Sequence, residues 1–227
     1  MSLITNKYVY EKLQRVETNG KRRYATPGDG PPVASVTTIL SATKDMTHLI
    51  EWRRRVGEQK AQEITTEAAG VGTRMHKYLE DYIDTGTWPT PGSNPYAQKA
   101  HAMATRIKVH ALDDVDEIWG SEVPLYIPKL YAGTTDLVGL YKGQPAIMDF
   151  KQSNKPKKKE WIEDYFLQMT AYALAHNEVH GTNIREGHVF MCTRDEEYQQ
   201  FDLLPEEFDE WTEKWWARVY DYYENYA

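Results

Sequence analysis

Apolar residues recur in this chain at two spacings, one of two residues and one of three to four, and their succession divides it into elements. Residues 7–26 read as an opening hairpin around Asn19-Gly20, a strong type I′ turn pair. A breaker-rich loop follows, Pro27-Gly28-Asp29-Gly30-Pro31-Pro32, and then Ser35, a good N-cap for a short helix through Leu40. Residues 47–69 have helical spacing, with Leu49, Ile50, Val56 and Ile64 apolar. Gly70-Val71-Gly72-Thr73 is expected to interrupt that helix, and a second one runs over 74–83. A second loop rich in proline and glycine covers 84–95, a helix covers 96–112, and 118–127 reads as a strand. Residues 131–151 form the next hairpin, with Lys142-Gly143 as its two-residue turn. A helix over 160–180, strands near 188–193 and 198–203, and a helix starting at Pro205 complete the order. In that last helix Phe208, Trp211, Trp215, Val219 and Tyr222 make a core-facing stripe rather than a stacking platform.

Strands interleaved with helices predict an α/β protein in which helices cover both faces of a mixed central sheet. With 227 residues, no internal repeat and no linker, the expectation is one domain over 1–227. The 41% hydrophobic and 27% charged fractions are ordinary for a globular chain, and no apolar run is long enough to span a bilayer. The first residues hold neither a signal peptide nor a presequence, which sets a cytoplasmic expectation, or the host cytoplasm for a viral chain. A single cysteine, Cys192, excludes a disulfide framework and a four-cysteine iron–sulfur cluster; its apolar neighbours Val189-Phe190-Met191 suggest a buried strand thiol. A net charge of −7 disfavours coating a nucleic acid but allows gripping one strand in a local basic channel. Arg53-Arg54-Arg55 and Lys155-Pro156-Lys157-Lys158-Lys159 are the two basic clusters, either such a channel or solvated surface.

The candidate chemistry starts from the second hairpin. If Lys142 and Gly143 form the loop, positions paired across it sum to 285, which sets Asp136 opposite Asp149. Like charges facing each other on a sheet are destabilising, so the pair calls for a cation. Asp149 and Lys151 share one face, while Met148 and Phe150 point to the other side and a core. Carboxylate oxygens suit Mg²⁺ or Mn²⁺, and a hard ion beside two Asp and a Lys can support phosphodiester cleavage. The triplet Asp149-Phe150-Lys151 alone proves little, since about one D-x-K is expected by chance in such a chain. Elsewhere His76 and Glu80 lie four apart on one helix face, as do Gln168 and Tyr172. Glu122, on the strand before the hairpin, faces either the two Asp or solvent.

The order of these pieces is more telling than any one of them. Gly72-Thr73-Arg74-Met75-His76 with Glu80, then Gly133-Thr134-Thr135-Asp136, then Asp149-Phe150-Lys151, then Gln168-Met169-Thr170-Ala171-Tyr172, resembles the RecB-like branch of the PD-(D/E)XK nuclease superfamily. Within that branch the chain is most similar to the mitochondrial genome maintenance exonucleases and their phage relatives, a likeness extended by residues 32–40 and by Glu51-Trp52-Arg53.

The resemblance implies a restriction-endonuclease-like α/β core with residues 47–112 as a helical arch over the active site. It implies His76, Asp136, Asp149 and the Phe150 backbone carbonyl as ligands of Mg²⁺ or Mn²⁺, Lys151 as the catalytic lysine, and Glu80 in support. Gln168 and Tyr172 would position DNA, with Arg53, Arg54, Lys155, Lys157 and Lys158 as further contacts. The implied activity is exonucleolytic hydrolysis of single-stranded DNA by a monomer, in replication, recombination or repair. A flap-type endonuclease on the same core is one alternative, and a non-catalytic nucleic-acid-binding recombination partner is another. Thr135-Asp136 stands where the superfamily has Pro-Asp, and the cluster-binding cysteines of some of its members are absent.

Overall fold

The computed structural model describes residues 2–18, 20–28 and 30–227. Its elements run β1 (Gln14–Thr18), β2 (Lys21–Ala25), β3 (Val33–Ser35), α1 (Val36–Ala42), α2 (Thr47–Val56), α3 (Glu58–Thr85) and α4 (Pro95–His110). They continue with β4 (Val115–Ile127), β5 (Tyr131–Tyr141), β6 (Gln144–Ser153), α5 (Glu163–His180), β7 (Glu186–Thr193), β8 (Tyr198–Leu203) and α6 (Phe208–Asn225). The strands form one mixed sheet in the order β1-β2-β3-β5-β6-β7-β8, with β4 paired to β5. Two contacts, β3 with β5 and β6 with β7, are parallel and the others antiparallel.

Alternation along β6 distributes its side chains to two cores. Ile147 joins the layer built with α1, α5 and α6, where Ile39, Leu167, Trp215 and Tyr222 are buried. Met148 and Phe150 join the opposite layer with Val71, Met75, Leu79 and Ile83 of α3 and Met103 and Ile107 of α4. Helices therefore cover both faces, as the pattern of elements predicts. Phe208, Trp215, Val219 and Tyr222 of the aromatic stripe are core residues. Cys192 is buried on β7, and loss of water pushes its thiol up to about 11. Among the described residues no helix is long and apolar enough to cross a membrane.

Several boundaries differ from the sequence expectation. The turn of the first hairpin includes Asn19, and the first loop includes Asp29; both lie outside the described residues. Ser35 does cap α1, accepting from the Thr38 backbone N–H at 2.9 Å. Gly70 and Gly72 do not interrupt the helix, since α3 passes through both. The break falls at Gly57, whose φ of 91° and ψ of 140° suit only glycine. A helical glycine costs about 1 kcal/mol. The fully buried row Val71, Met75, Leu79 and Ile83 offsets more than that. Pro205 does not open α6, which begins at Phe208 after a turn.

The 47–112 region divides in two. The second half of α3 and all of α4 pack on the sheet as its covering layer. Helix α2 buries no residue and leaves Leu49 and Ile50 exposed, and the first turns of α3 bury only Ala61. The overhang is thus confined to α2 and the start of α3.

Candidate active site

The site lies where β5 loses a neighbour. One edge of β5 is held by β4. The other edge pairs with β6 over residues 137–141 and with β3 only at Tyr131 and Ala132. Residues 133–136 sit between those two ladders. The 285 register holds from Tyr141↔Gln144 to Leu137↔Met148 and stops one step before Asp136 and Asp149. There the Asp136 carboxylate replaces the ladder, its Oδ2 accepting from the Phe150 N–H at 2.8 Å. On a strand the N–H and C=O of one residue point to the same edge, so the Phe150 carbonyl is directed toward this opening too.

Three elements bring potential ligands together here. Helix α3 sets His76 Nδ1 3.4 Å from Asp136 Oδ2, because the buried Met75 and Leu79 turn His76 along the sheet-facing flank. Strand β4 supplies Glu122. Its neighbours pair as Ser121↔Leu137 and Val123↔Thr135, which sets Glu122 opposite Asp136. Glu122 has a φ of 50°, a left-handed conformation uncommon for glutamate and worth about 1–2 kcal/mol of strain. One ligand atom each from His76, Glu122 and Asp136 lies within 4.8 Å of the others. An imidazole and two carboxylates at that separation suit a divalent cation, and the strained Glu122 backbone argues that the surroundings impose the arrangement. A pair of like charges of this kind is what a cation would relieve.

The electrostatics follow. Loss of water and then the Asp136 charge push the Glu122 carboxyl up to about 7. Burial alone would raise Asp136 as well. His76, Lys151 and the Phe150 N–H outweigh it and hold Asp136 down at about 2. His76 is opposed by burial but raised by Asp136.

Asp149 and Lys151 form a second unit beside the first. The Asp149 Oδ2 is paired with Lys151 Nζ, and Asp149 lies outside the three-ligand set among the described residues. Both face the α5 layer, with the Tyr165 ring 5.2 Å from Lys151 Nζ. Burial pushes Asp149 up to about 6 against the pull of Lys151. Lys151 loses water too, but Asp149 and then Asp136 raise it, so it stays an ammonium.

The remaining predicted residues lie on several other elements. Glu80 shares a cleft with His76 and Glu122 and sits 3.4 Å from Lys77 Nζ. Gln168 Nε2 lies 3.4 Å from the Tyr172 hydroxyl. Tyr172 is buried, and its ring lies so close to Gly133 that a Cβ there would stand 2.8 Å from it. Of that pair Gln168 is the exposed-side member and Tyr172 the core one. Arg53 is tied to Glu58 at 2.8 Å across the Gly57 break, while Arg54 faces solvent. In the lysine run, Gln199 accepts from the Lys157 N–H at 2.8 Å, Lys158 lies 3.9 Å from Glu160, and Lys159 lies 2.9 Å from Glu207. Lys155 is exposed. The sequence leaves Glu122 open between site and solvent, and in the structure it is exposed yet within reach of His76 and Asp136. The one signal that could have found it was the second register, summing to 258 across β4 and β5.

No protein-family model matches the chain. Mitochondrial genome maintenance exonuclease 1 of Xenopus tropicalis is 29% identical over 180 residues, 72% of this chain and 49% of that protein. The human protein of the same name is 27% identical over 207 residues, 85% of this chain and 58% of that protein. The chain thus spans about half the length of the curated relatives it matches. A solved structure from Eubacterium rectale, described as that of a candidate exonuclease, aligns with a TM-score of 0.49 at 13% identity over 68% of this chain and 66% of that one. The relationship to these exonuclease sequences bears out the nuclease resemblance carried by the four motifs.

Proposed function

We propose that this chain is a divalent-metal-dependent deoxyribonuclease that hydrolyses single-stranded DNA from an end. The observation that carries this reading is the triple of His76, Glu122 and Asp136 set beside the buried Asp149–Lys151 pair. The related exonucleases support it.

His76, Glu122 and Asp136 would hold the ion, with Asp149 and the Phe150 carbonyl at the same opening. A bound Mg²⁺ or Mn²⁺ supplies Lewis acidity toward a phosphoryl oxygen and toward water. The residues do the rest. Lys151 remains charged because Asp149 lies against it, so it can face the negative charge that grows at phosphorus during in-line displacement. Asp149 holds the ammonium in place. Gln168 would offer an amide donor to the strand, and the exposed Arg54, Lys155 and Lys158 would supply cations to it. In the net reaction water oxygen bonds to phosphorus, one ester P–O bond breaks, and a proton passes to the departing oxygen.

End-labelled linear single strands and a circular single strand of equal length, each with Mn²⁺, Mg²⁺ or EDTA, provide the test. Loss of the linear substrate with metal, with the circle intact, is the expected result. A cut circle replaces the exonuclease by an endonuclease on the same site. No cutting of either form with either metal removes the nuclease reading.

The lysine run gives a separate prediction. Replacing Lys157, Lys158 and Lys159 by Gln should weaken DNA binding. Each lost phosphate contact should flatten the log–log salt dependence by about 0.7. Lys159 is already committed to Glu207, so most of the change should come from the other two. An unchanged salt slope by filter binding would return the run to plain surface.

A further inference from the structure

Glu122 borders a second recess as well as the ligand cluster. This recess has a volume of about 280 Å³ and is walled by Arg15, Arg22, Thr37, Gln168 and the Gly133-Thr134 stretch of β5. That is room for about nine water volumes, enough for a phosphate group and its sugar. Its floor is the part of β5 that neither β6 nor β3 pairs with.

The first hairpin supplies the charge. Arg15 stands opposite Tyr24 in the β1–β2 ladder, and Arg22 precedes Tyr24 by two. Both therefore share the face that Tyr24 turns to the recess. Neither guanidinium has a carboxylate within ion-pair distance among the described residues, although Glu17 stands opposite Arg22 in the ladder. Arg23, on the other face, donates instead to the Pro32 carbonyl at 3.2 Å. The recess thus concentrates positive charge in a chain of net charge −7. Gln168 adds an amide and Thr37 a hydroxyl. Glu122 is the one carboxylate on the wall, and it stands within 4.8 Å of the His76 and Asp136 ligand atoms.

We propose that this recess binds a second phosphate of the nucleic-acid strand, next along the chain from the phosphate at the His76–Glu122–Asp136 cluster. The assignment rests on the nuclease reading above and adds to it a built anchor supplied by the β1–β2 hairpin. Guanidinium pairs grip phosphate through forked donors, which fixes the strand's register as well as its charge. The anchored phosphate is an internal phosphodiester or a terminal phosphomonoester, and the experiment separates the two.

Wild-type protein, Arg15→Ala/Arg22→Ala and Arg15→Lys/Arg22→Lys are compared in two arms. The first measures binding of short single strands in EDTA across a salt series, each strand with and without a 5′ or 3′ terminal phosphate. The second measures cutting with Mn²⁺. The alanine pair should weaken binding and raise KM by about tenfold or more, with kcat within about twofold. It should also flatten the salt slope by about 0.7 for the one phosphate lost. The lysine pair should restore the slope but only part of the affinity. A defect confined to terminally phosphorylated strands assigns the phosphomonoester, and a defect on all strands assigns the phosphodiester. Equal melting temperatures confirm that the hairpin still folds. Unchanged binding and KM in the alanine pair overturn the proposal. Since the first arm needs no metal, a protein that binds through these arginines yet never cuts sinks the nuclease reading alone.

Discussion

Lys151→Met should lower kcat by about 100- to 1,000-fold, the range seen when one donor to a developing oxyanion is removed. It should also destabilise the protein, for a reason separate from catalysis. Asp149 is 2% exposed and keeps its charge because Lys151 lies against it. Removing one partner of a buried ion pair costs about 3–5 kcal/mol, since the other charge is left in a dry site. Asp149 then escapes by taking a proton, which it is already inclined to do, with burial holding it up at about 6. An acid whose folded pKa lies above its unfolded one binds more protons when folded, so stability falls as pH rises. The metal-free Lys151→Met protein should therefore melt lower, relative to wild type, at pH 8 than at pH 5. The pair Asp149→Asn/Lys151→Met removes both charges and should recover most of the lost stability while staying inactive. Thermal melts in EDTA at the two pH values, with Mn²⁺-dependent kcat, read all three effects. A Lys151→Met protein that cuts at the wild-type rate would falsify the role given to the lysine. A double variant no more stable than the single one would remove the buried-charge account.

The hairpin was legible because a two-residue turn leaves one register, and the register then says which side chains face each other. It predicted Leu137↔Met148 and the alternation that sends Met148 and Phe150 into the α3–α4 layer. It could not say that the ladder would stop there, because the Asp136 carboxylate takes the Phe150 N–H that a continued ladder would use. Glycine is less legible. Gly70 and Gly72 look like breakers by composition, yet packing of the buried row around them decides the helix. Gly57, one of several glycines in sequence, is the true boundary through its dihedral angles. Arg15 and Arg22 were invisible as a site, because only the folded sheet carries the first hairpin next to residues more than a hundred positions away. The pairing of His76 with Asp136 likewise joins a helix and a strand 60 residues apart, and spacing alone gave no geometry between them.

Glu122→Gln should make the metal-free protein more stable and the proposed cutting worse. The substitution keeps the side chain's shape and the left-handed φ of 50°, so the backbone strain is unchanged and only the charge is removed. In the absence of an ion, Glu122 and Asp136 repel each other, which is part of why the Glu122 carboxyl stands at about 7, after loss of water. Above that pH the carboxylate is charged and the repulsion is fully felt. Below about 4.5 the group is protonated, folded or unfolded, and the difference vanishes. Glu122 is exposed to solvent, so the gain at pH 8 is discounted to about 1 kcal/mol, or about 2–4 °C in Tm for a chain of this size. Metal reverses the order. A carboxylate that ligates contributes charge and an oxygen that an amide replaces poorly, and even partners one layer out cost about 10–100-fold in affinity. The Mn²⁺ concentration for half-maximal cutting should rise by at least that much. Each tenfold loss of affinity removes about 1.4 kcal/mol of the stabilisation that saturating Mn²⁺ gives the wild type. The two melting curves should therefore cross between EDTA and high Mn²⁺, the variant melting later in the first and earlier in the second. A variant that melts earlier in both, with an unchanged Mn²⁺ requirement, would make Glu122 a packing residue and leave His76 and Asp136 without their third partner.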